Sequence, residues 1–415
     1  MCHRAVLALL LSGWLAAPAW AATTQSIIAG QTDPSDTTGT NYAPLLGSSV
    51  IALSGTEAHF QQMVSTGGTL SALRVELDAD PGGTASYTIR VRIDGSNGNL
   101  TCAVNAGSTT CTDLSNSDAV SAGQRVNISI TAANTPAASR VRHSLLFTPT
   151  TTNQTLLLVA SQTYQVGDAL PVTGGNGTGY ATNARAESIM PVAGTIKNLY
   201  VGLDALGALE TAIITLVQNG STTLLTCTVT APATTCNNTL TSVSVSADDN
   251  LRLVQSGTNS AAFVFSLGLT FEPTTTGDQV ITAGDNTAMS SGSTQYIGPG
   301  SVDTVLQTTE AIAQQLTQAI TLTAMSVELD GAPGGGNDYT FTIMVEGSAN
   351  TDLQCTIAES ATTCSDTGSV AVSAGQTITW RQVPTSTPTT RRLKIGLAGN
   401  IAETGAAARR SWLLN

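Results

Sequence analysis

Short runs along the chain alternate strictly between apolar and polar residues. The run at residues 73–78 reads LRVELD, and after a Pro-Gly turn at 80–83 a second alternating run follows at 87–93. The same pair of runs returns at 325–330 and 339–345. A period of two residues is typical of a β-strand with one buried face. Two such strands joined by a Pro-Gly turn predict an antiparallel hairpin.

The turn that follows the second strand carries Asp94-Gly95, Asn219-Gly220 or Glu346-Gly347. The first two of these dipeptides are favoured where both residues need positive φ, as in a tight hairpin. Helical periodicity is almost absent. Residues 308–320, rich in Glu, Gln and Ala, are the one candidate, either for a short helix or for a strand with its approach.

Cysteine spacing indicates an internal repeat. After Cys2 the six remaining cysteines form three pairs, each with eight residues between its members: Cys102 and Cys111, Cys227 and Cys236, Cys355 and Cys364. The text between them is similar in each (TCAVNAGSTTC, TCTVTAPATTC, QCTIAESATTC). Each pair is preceded by LRVELD, LYVGLD or MSVELD and followed by VSAGQ or VSADD. These landmarks recur together, which predicts three copies of one unit.

The repeat predicts an all-β protein of three tandem antiparallel β-sandwich domains, jelly-roll-like in preference to immunoglobulin-like. The segments FTPTTT and FEPTTT mark the boundaries. The cysteine pairs are expected to close a hairpin, since they are too close in sequence to bridge two sheets. The predicted divisions are a signal peptide at 1–21, sandwich repeats at 22–150, 151–275 and 276–405, and a C-terminal tail at 406–415.

The first residues have the form of an export signal. One arginine precedes an apolar run at 5–15, and Ala19-Trp20-Ala21 offers small residues where signal peptidase reads, so cleavage is expected after Ala21. An uncleaved membrane anchor is the alternative. Export to an oxidising compartment, as a secreted or outer cell-surface protein, makes three local disulfides the natural interpretation of the cysteines. A zinc site would need more closely spaced ligands and a second cluster.

The composition and net charge restrict the kinds of partner that the chain is expected to bind. The net charge is −12, and the loss of Arg4 with the signal would make it −13. An acidic chain with 16 lysines and arginines is a poor match for nucleic acid or an anionic membrane. After the predicted signal, the sequence has no second apolar stretch long enough to predict a membrane span.

Candidate chemistry is sparse, and we predict no catalytic residue, no cofactor and no metal site. His59 and His143 are expected to be structural strand residues, and no G-x-S-x-G motif is present. Glu76 and Asp78 share the outward face of their strand, which predicts a solvated acidic strip rather than a glycosidase pair. Calcium is the alternative, with ligands from Asp78 and Asp80 or from the turn at 94–99, although no ligand set recurs between copies.

The pattern VELDxxPGG…YTxxV…CTI…TTC…VSAGQ resembles a module of uncharacterised secreted bacterial and phage surface proteins. It is also loosely similar to the trimerising C1q/TNF-like jelly rolls of bacterial spore-surface glycoproteins. The resemblance implies a jelly-roll fold and supplies no catalytic residue. The second copy departs from the pattern at 206–209 and 248–249, which puts a shared ligand site in doubt.

These observations predict a non-enzymatic secreted or cell-surface protein with a structural or adhesive role. Three fused jelly rolls could close a pseudo-threefold ring within one chain, or they could form a rod or an appendage subunit. The alternatives are a glycan- or ligand-binding module, whose stacking aromatics would be Trp380 and Trp412, and a secreted hydrolase. Partners would be other copies of the chain or surface glycans. The basic, apolar tail at 406–415 is either frayed or docks on a neighbouring subunit.

Overall fold

The computed structural model describes residues 23–31, 34–49, 53–174, 176–177, 187–259, 261–284, 287–301 and 306–401. Nearly all the regular secondary structure of these residues is β-strand, which confirms the predicted all-β class. The predicted signal peptide (1–21) and C-terminal tail (406–415) lie outside the described residues.

The first group of strands builds two sheets, ordered β3-β1-β10-β5-β8 and β2-β9-β6-β7, with β4 also paired to β9. A short 3-10 helix at Glu57–Phe60 precedes β4. The strands are β1 Gln25–Gln31, β2 Thr40–Ala43, β3 Gly47–Ser49, β4 Gln62–Met63, β5 Gly68–Leu77, β6 Ser86–Ile93, β7 Ser96–Asn105, β8 Thr110–Val120, β9 Arg125–Ala133 and β10 Val141–Pro149.

The second group repeats the arrangement, with sheets ordered β13-β11-β20-β15-β18 and β12-β19-β16-β17, and β14 paired to β19. Its strands are β11 Thr155–Tyr164, β12 Ala169–Pro171, β13 Asn176–Gly177, β14 Ser188–Ile189, β15 Gly194–Leu203, β16 Thr211–Gln218, β17 Ser221–Thr230, β18 Thr235–Val245, β19 Asn250–Gly257 and β20 Phe263–Pro273.

The third group has sheets ordered β21-β30-β24-β27 and β22-β29-β25-β26, with β28 paired to β24 and β23 to β29. The elements are β21 Asp278–Gly284, β22 Gln295–Ile297, α1 Glu310–Ala313, β23 Gln315–Leu316, β24 Ile320–Leu329, β25 Asp338–Val345, β26 Ser348–Ala358, β27 Thr363–Asp366, β28 Val370–Val372, β29 Thr377–Thr385 and β30 Leu393–Asn400. The helix candidate at 308–320 is thus one turn of helix followed by the approach to β24.

All three groups have jelly-roll topology. If the eight principal strands of each group are numbered along the chain, with β27 and β28 together as the sixth of the third group, one sheet runs 1-8-3-6 and the other 2-7-4-5. The two sheets enclose an apolar cluster, and the described residues form one large cluster for each group. The fully buried aromatic residues include Tyr87, Phe265 and Trp380, one for each sandwich.

The predicted hairpin at residues 73–93 is wrong. β5 and β6 belong to different sheets, so the Pro-Gly turn at 80–83 crosses from one sheet to the other. An alternating pattern shows only that a strand buries one face. The pattern does not distinguish two strands that pair in one sheet from two strands that face each other across a core. The next turn is a hairpin as predicted, because Asp94 and Gly95 have φ of 48° and 76° and β6 pairs with β7.

The expectation that the cysteine pairs close hairpins is also wrong. Cys102 lies on β7 and Cys111 on β8, and these strands are the outer edges of opposite sheets. The Cα–Cα distances of the three pairs are 5.9, 5.9 and 5.8 Å, as a disulfide requires. Each pair therefore joins the two sheets at the edge of its sandwich.

Candidate functional site

The two histidines outside the predicted signal lie in different kinds of element. His143 is buried in β10, and its Nε2 lies 3.2 Å from the carbonyl oxygen of Leu45. Burial lowers the pKa of His143 to about 4, because the charged ring would lose its hydration. His59 lies in the 3-10 helix at Glu57–Phe60 and not in a strand, so that part of the prediction is wrong.

The predicted solvated acidic strip is instead half-buried beside an arginine. The Glu76 and Asp78 side chains are 28% and 25% exposed, and each forms an ion pair with Arg142, whose side chain is 4% exposed. Burial raises the pKa of Glu76, although the nearby Arg142 opposes the shift. Sequence reasoning treated the outer face of this sheet as solvent, whereas residues of the third sandwich cover it.

The candidate calcium ligands are engaged with the protein. Asp80 accepts hydrogen bonds from the backbone N–H groups of Gly82 and Gly107, which lower its pKa. Asp94 accepts a bond of 2.8 Å from the Arg125 backbone N–H, and Asn97 bonds to Arg92. Within the described ranges, no three His, Cys, Asp or Glu side chains are grouped to hold a metal ion.

Of the two candidate sugar-stacking residues, Trp380 is described, and it does not present a surface for stacking. Trp380 is 1% exposed and belongs to the core of the third sandwich, and Trp412 lies outside the described residues. In the described part of the chain, the exposed large apolar side chains are all aliphatic: Leu114, Val166, Leu209, Leu224 and Leu240.

The three sandwiches pack against one another, and the buried charged and polar side chains described below lie at these contacts. The first strand of each sandwich inserts apolar side chains into the core of another. Leu156 and Leu158 of β11 belong to the first core, Val280 of β21 to the second, and Ile28 of β1 to the third. The three insertions form a cycle, since the second sandwich packs on the first, the third on the second and the first on the third.

The short strands β4, β14 and β23 contact the same faces from the opposite side. β4 lies against β11 and β20, β14 against β21 and β30, and β23 against β1 and β10. Each of these strands therefore contacts the 1-8-3-6 sheet of the sandwich that inserts into its own core. We call this closed cycle of three interfaces the ring.

Buried glutamines bond the three first strands together near the centre of the ring. Gln25 donates to the carbonyl of Leu156 at 2.9 Å and accepts from its N–H at 2.7 Å. Gln279 accepts a bond of 2.6 Å from the backbone N–H of Ser26. Residues of all three sandwiches line a cavity of about 10 Å³ here, which has room for at most a single water. Among the described residues, this part of the centre is thus closely packed and lined by polar as well as apolar side chains.

Two glycines allow the sandwiches to approach closely at this centre. A Cβ atom on Gly300 would lie 2.6 Å from the Cα atom of Gly47, well inside van der Waals contact. Both residues have positive φ, 74° and 93°, which favours glycine independently.

The three interfaces have different side chains at the same pair of equivalent positions. Between the third and first sandwiches, Arg142 donates to the carbonyl oxygens of Ala311 and Gln314, the latter at 2.9 Å. Between the second and third, the Lys394 Nζ atom lies 2.6 Å from Glu187 and 2.9 Å from Glu328. Each site joins a cation to a carboxylate on the neighbouring strand of its own sheet, Arg142 to Glu76 and Lys394 to Glu328.

The interface between the first and second sandwiches differs from the other two. Gly202 and Ser266 hold the positions that Glu328 and Lys394 hold in the third sandwich. Met63 and Arg125 fill the freed space, because a Cβ atom on Gly202 would lie 2.5 Å from the Met63 methyl carbon. Arg125 donates to the carbonyl oxygen of Leu203 at 3.3 Å. Because each interface has its own side chains, each interface is matched to one particular pair of sandwiches.

One signal in the sequence could have located the first of these interfaces. Residues 156–160 read LLLVA, with no polar alternation. A strand buried on both faces has such a continuous apolar run. Arg142 and the glutamines gave no comparable signal, since outward polar residues are ordinary on a strand that faces solvent.

No known protein family model matches the chain, and no curated protein is similar to it. Across the described ranges, no helix is both long and apolar enough to cross a membrane.

Proposed function

We propose that this chain is a non-enzymatic exported protein with a structural or adhesive role at a cell surface, and that the ring is its working unit. The closed cycle of contacts carries the proposal. Three jelly rolls that each pack side chains of their first strand into the core of another form a rigid body with a single set of outer surfaces. Such a body suits a subunit that must present or space surfaces under mechanical load.

The use of the charged residues supports this role. Arg142, Lys394 and Glu187 are nearly buried at the interfaces, where they bond to backbone or to opposite charges. Interactions of this kind specify which surfaces meet, because an unmatched neighbour would leave a buried charge unpaired. The cysteine pairs at the outer edges fit an oxidising compartment outside the cell.

The test has a location arm and a function arm. Mass spectrometry of the protein recovered from source cells should give a mature chain that begins at Ala22. Immunogold labelling of intact cells should place it on the outer surface. Deletion of the gene should reduce attachment of cells to surfaces or alter the surface layer, and restoration should reverse the change. A chain that retains residues 1–21 in the cytoplasm would contradict the proposal.

The glycan-binding alternative needs a separate measurement. A glycan array probed with the disulfide-bonded mature protein should give no hits if the role is structural. A reproducible hit would favour a carbohydrate-binding module. Because Trp380 is buried, such a site would have to use other side chains among the described residues.

A further inference from the structure

Lysine is rare in this chain, and one of its lysines is nearly buried between two sandwiches. Of the 16 lysines and arginines, only Lys197 and Lys394 are lysines. Lys197 forms an ion pair with Glu272, and its side chain is 27% exposed. The Lys394 side chain is 12% exposed and lies in β30 at the interface between the second and third sandwiches. A chain that otherwise uses arginine for its cations thus has a primary amine at this contact.

The Lys394 amine contacts one side-chain amide and two carboxylates. Its Nζ atom lies 3.2 Å from Oδ1 of Asn250, the first residue of β19. The same Nζ atom lies 2.9 Å from Glu328 and 2.6 Å from Glu187. Glu328 also accepts a bond of 2.6 Å from Nδ2 of Asn250. Glu328 therefore bridges the amine and the amide nitrogen, and Nζ lies beside the carbonyl group of the amide.

This arrangement contains the groups that an intramolecular amide exchange requires. The amine is a nucleophile, the amide carbon is an electrophile, and a carboxylate in contact with both can move the protons. Well-oriented groups in one molecule react at effective concentrations that reach about 10⁵–10⁸ M. The low exposure of Lys394 and Glu187, 12% and 10%, limits competition from water.

We infer that Lys394 and Asn250 form an isopeptide bond in the folded chain, with Glu328 as its catalytic residue. Glu328 takes a proton from the Lys394 ammonium group, and the neutral amine attacks the Cγ atom of Asn250. Glu328 gives that proton to Nδ2, and the Cγ–Nδ2 bond breaks as the carbonyl re-forms. A second proton passes from the attacking nitrogen through Glu328 to the released ammonia, which leaves as ammonium.

The product keeps both carboxylates paired. The new amide N–H replaces Nδ2–H as the donor to Glu328, and Glu187 keeps its ion pair with Arg252. The bond joins the second sandwich covalently to the third, so it locks one of the three interfaces of the ring. This inference goes beyond the proposed function, and its failure would leave the proposed surface role untouched.

The other two interfaces lack the reacting pair. The position of Asn250 is occupied by Arg125 in the first sandwich and by Thr377 in the third. The lysine position is occupied by Arg142 in the first sandwich and by Ser266 in the second. None of these four side chains supplies a primary amine or a carboxamide. The ring therefore builds its other interfaces without this set of residues.

Mass spectrometry of the mature chain, folded with its disulfides and then reduced and denatured, tests the proposal. The wild type should weigh one ammonia less than its sequence. Lysyl endopeptidase should cleave after Lys197 but not after Lys394, so that residues 198–415 stay in one fragment. Glu328→Ala and Asn250→Ala should each restore the full mass and the second cleavage.

Lys197→Arg is the matched control, because it removes the other lysine and should leave the loss of ammonia unchanged. Circular dichroism should show that all variants are folded. The proposal is overturned if the wild type has its full sequence mass. It is equally overturned if ammonia is lost while Lys394 is still cleaved, as a succinimide at Asn219-Gly220 would give. A bond that still forms in Glu328→Ala would overturn the role of Glu328.

Discussion

At the scale of single residues, the three repeats act as controls for one another. His143, Leu267 and Ile395 occupy equivalent positions on the last strand of each sandwich. Only the first sandwich has a titratable group there. The His143 side chain is buried, and its imidazole is hydrogen-bonded to the backbone of Leu45. The first sandwich therefore contains a pH-dependent core position that its two partners lack.

The variant His143→Leu should reduce the pH dependence of stability. Because folding lowers the pKa of His143 from 6.5 to about 4, protonation favours the unfolded chain. The stability linked to this group is present above pH 6.5 and is lost as the pH falls toward 4. Urea unfolding at pH 7 and pH 4 should show the wild type losing roughly 3 kcal/mol more than the variant. Equal losses of stability in both proteins would show that the imidazole of His143 stays solvated in the folded protein.

Arg142 gives a second prediction at this scale. Arg142→Gln should lower the free energy of unfolding by about 2–4 kcal/mol, because it leaves two carbonyls and the partly buried Glu76 carboxylate without their donor, whereas Asp78 keeps its bond to Arg140. Lys197→Gln is the control. The Lys197 side chain is 27% exposed and its pair with Glu272 should contribute less than about 1 kcal/mol. Chemical denaturation would compare the two variants, and similar losses would contradict a special role for Arg142.

At the scale of elements, the sequence predicted strands better than their pairing. The alternating runs at 73–77 and 87–93 lie in β5 and β6, and the Asp94-Gly95 turn is a hairpin as expected. The Pro-Gly turn was assigned to a hairpin because alternation is identical for paired and facing strands. The interface residues were missed for a related reason, since one face of β10 looks solvent-exposed until the third sandwich covers it.

The cysteine pairs provide the prediction for this scale. β7 and β8 share no hydrogen-bonded ladder, so Cys102→Ala with Cys111→Ala removes the covalent link between two sheet edges. We expect a loss of about 2–3 kcal/mol for a loop of this length. Hydrogen exchange should rise first in β7 and β8, while β5 and β6 stay protected. Unchanged exchange at both edges would mean that side-chain packing alone holds them.

At the scale of the whole molecule, the count of three repeats left a ring and a rod equally open. The two differ in what Ile28 contacts. It is 3% exposed and belongs to the core of the third sandwich, although it lies in the first strand of the first. In a rod, a sandwich at one end would not reach the core at the other. The closing interface thus depends on side chains far apart in sequence, which repeat patterns do not reveal.

Small-angle X-ray scattering, extrapolated to zero concentration, measures closure directly. A compact chain of this length should have a radius of gyration of about 22 Å. Three sandwiches end to end, each about 36 Å long, would exceed about 30 Å. The variant Ile28→Asp puts a charge into the third core and should shift the wild-type value toward the larger one. Leu114→Asp adds the same charge at an exposed site and should leave the profile unchanged. If the wild type itself gives the larger value, the ring does not form in solution, and Arg142 and Ile28 lose the contacts on which the closing interface depends.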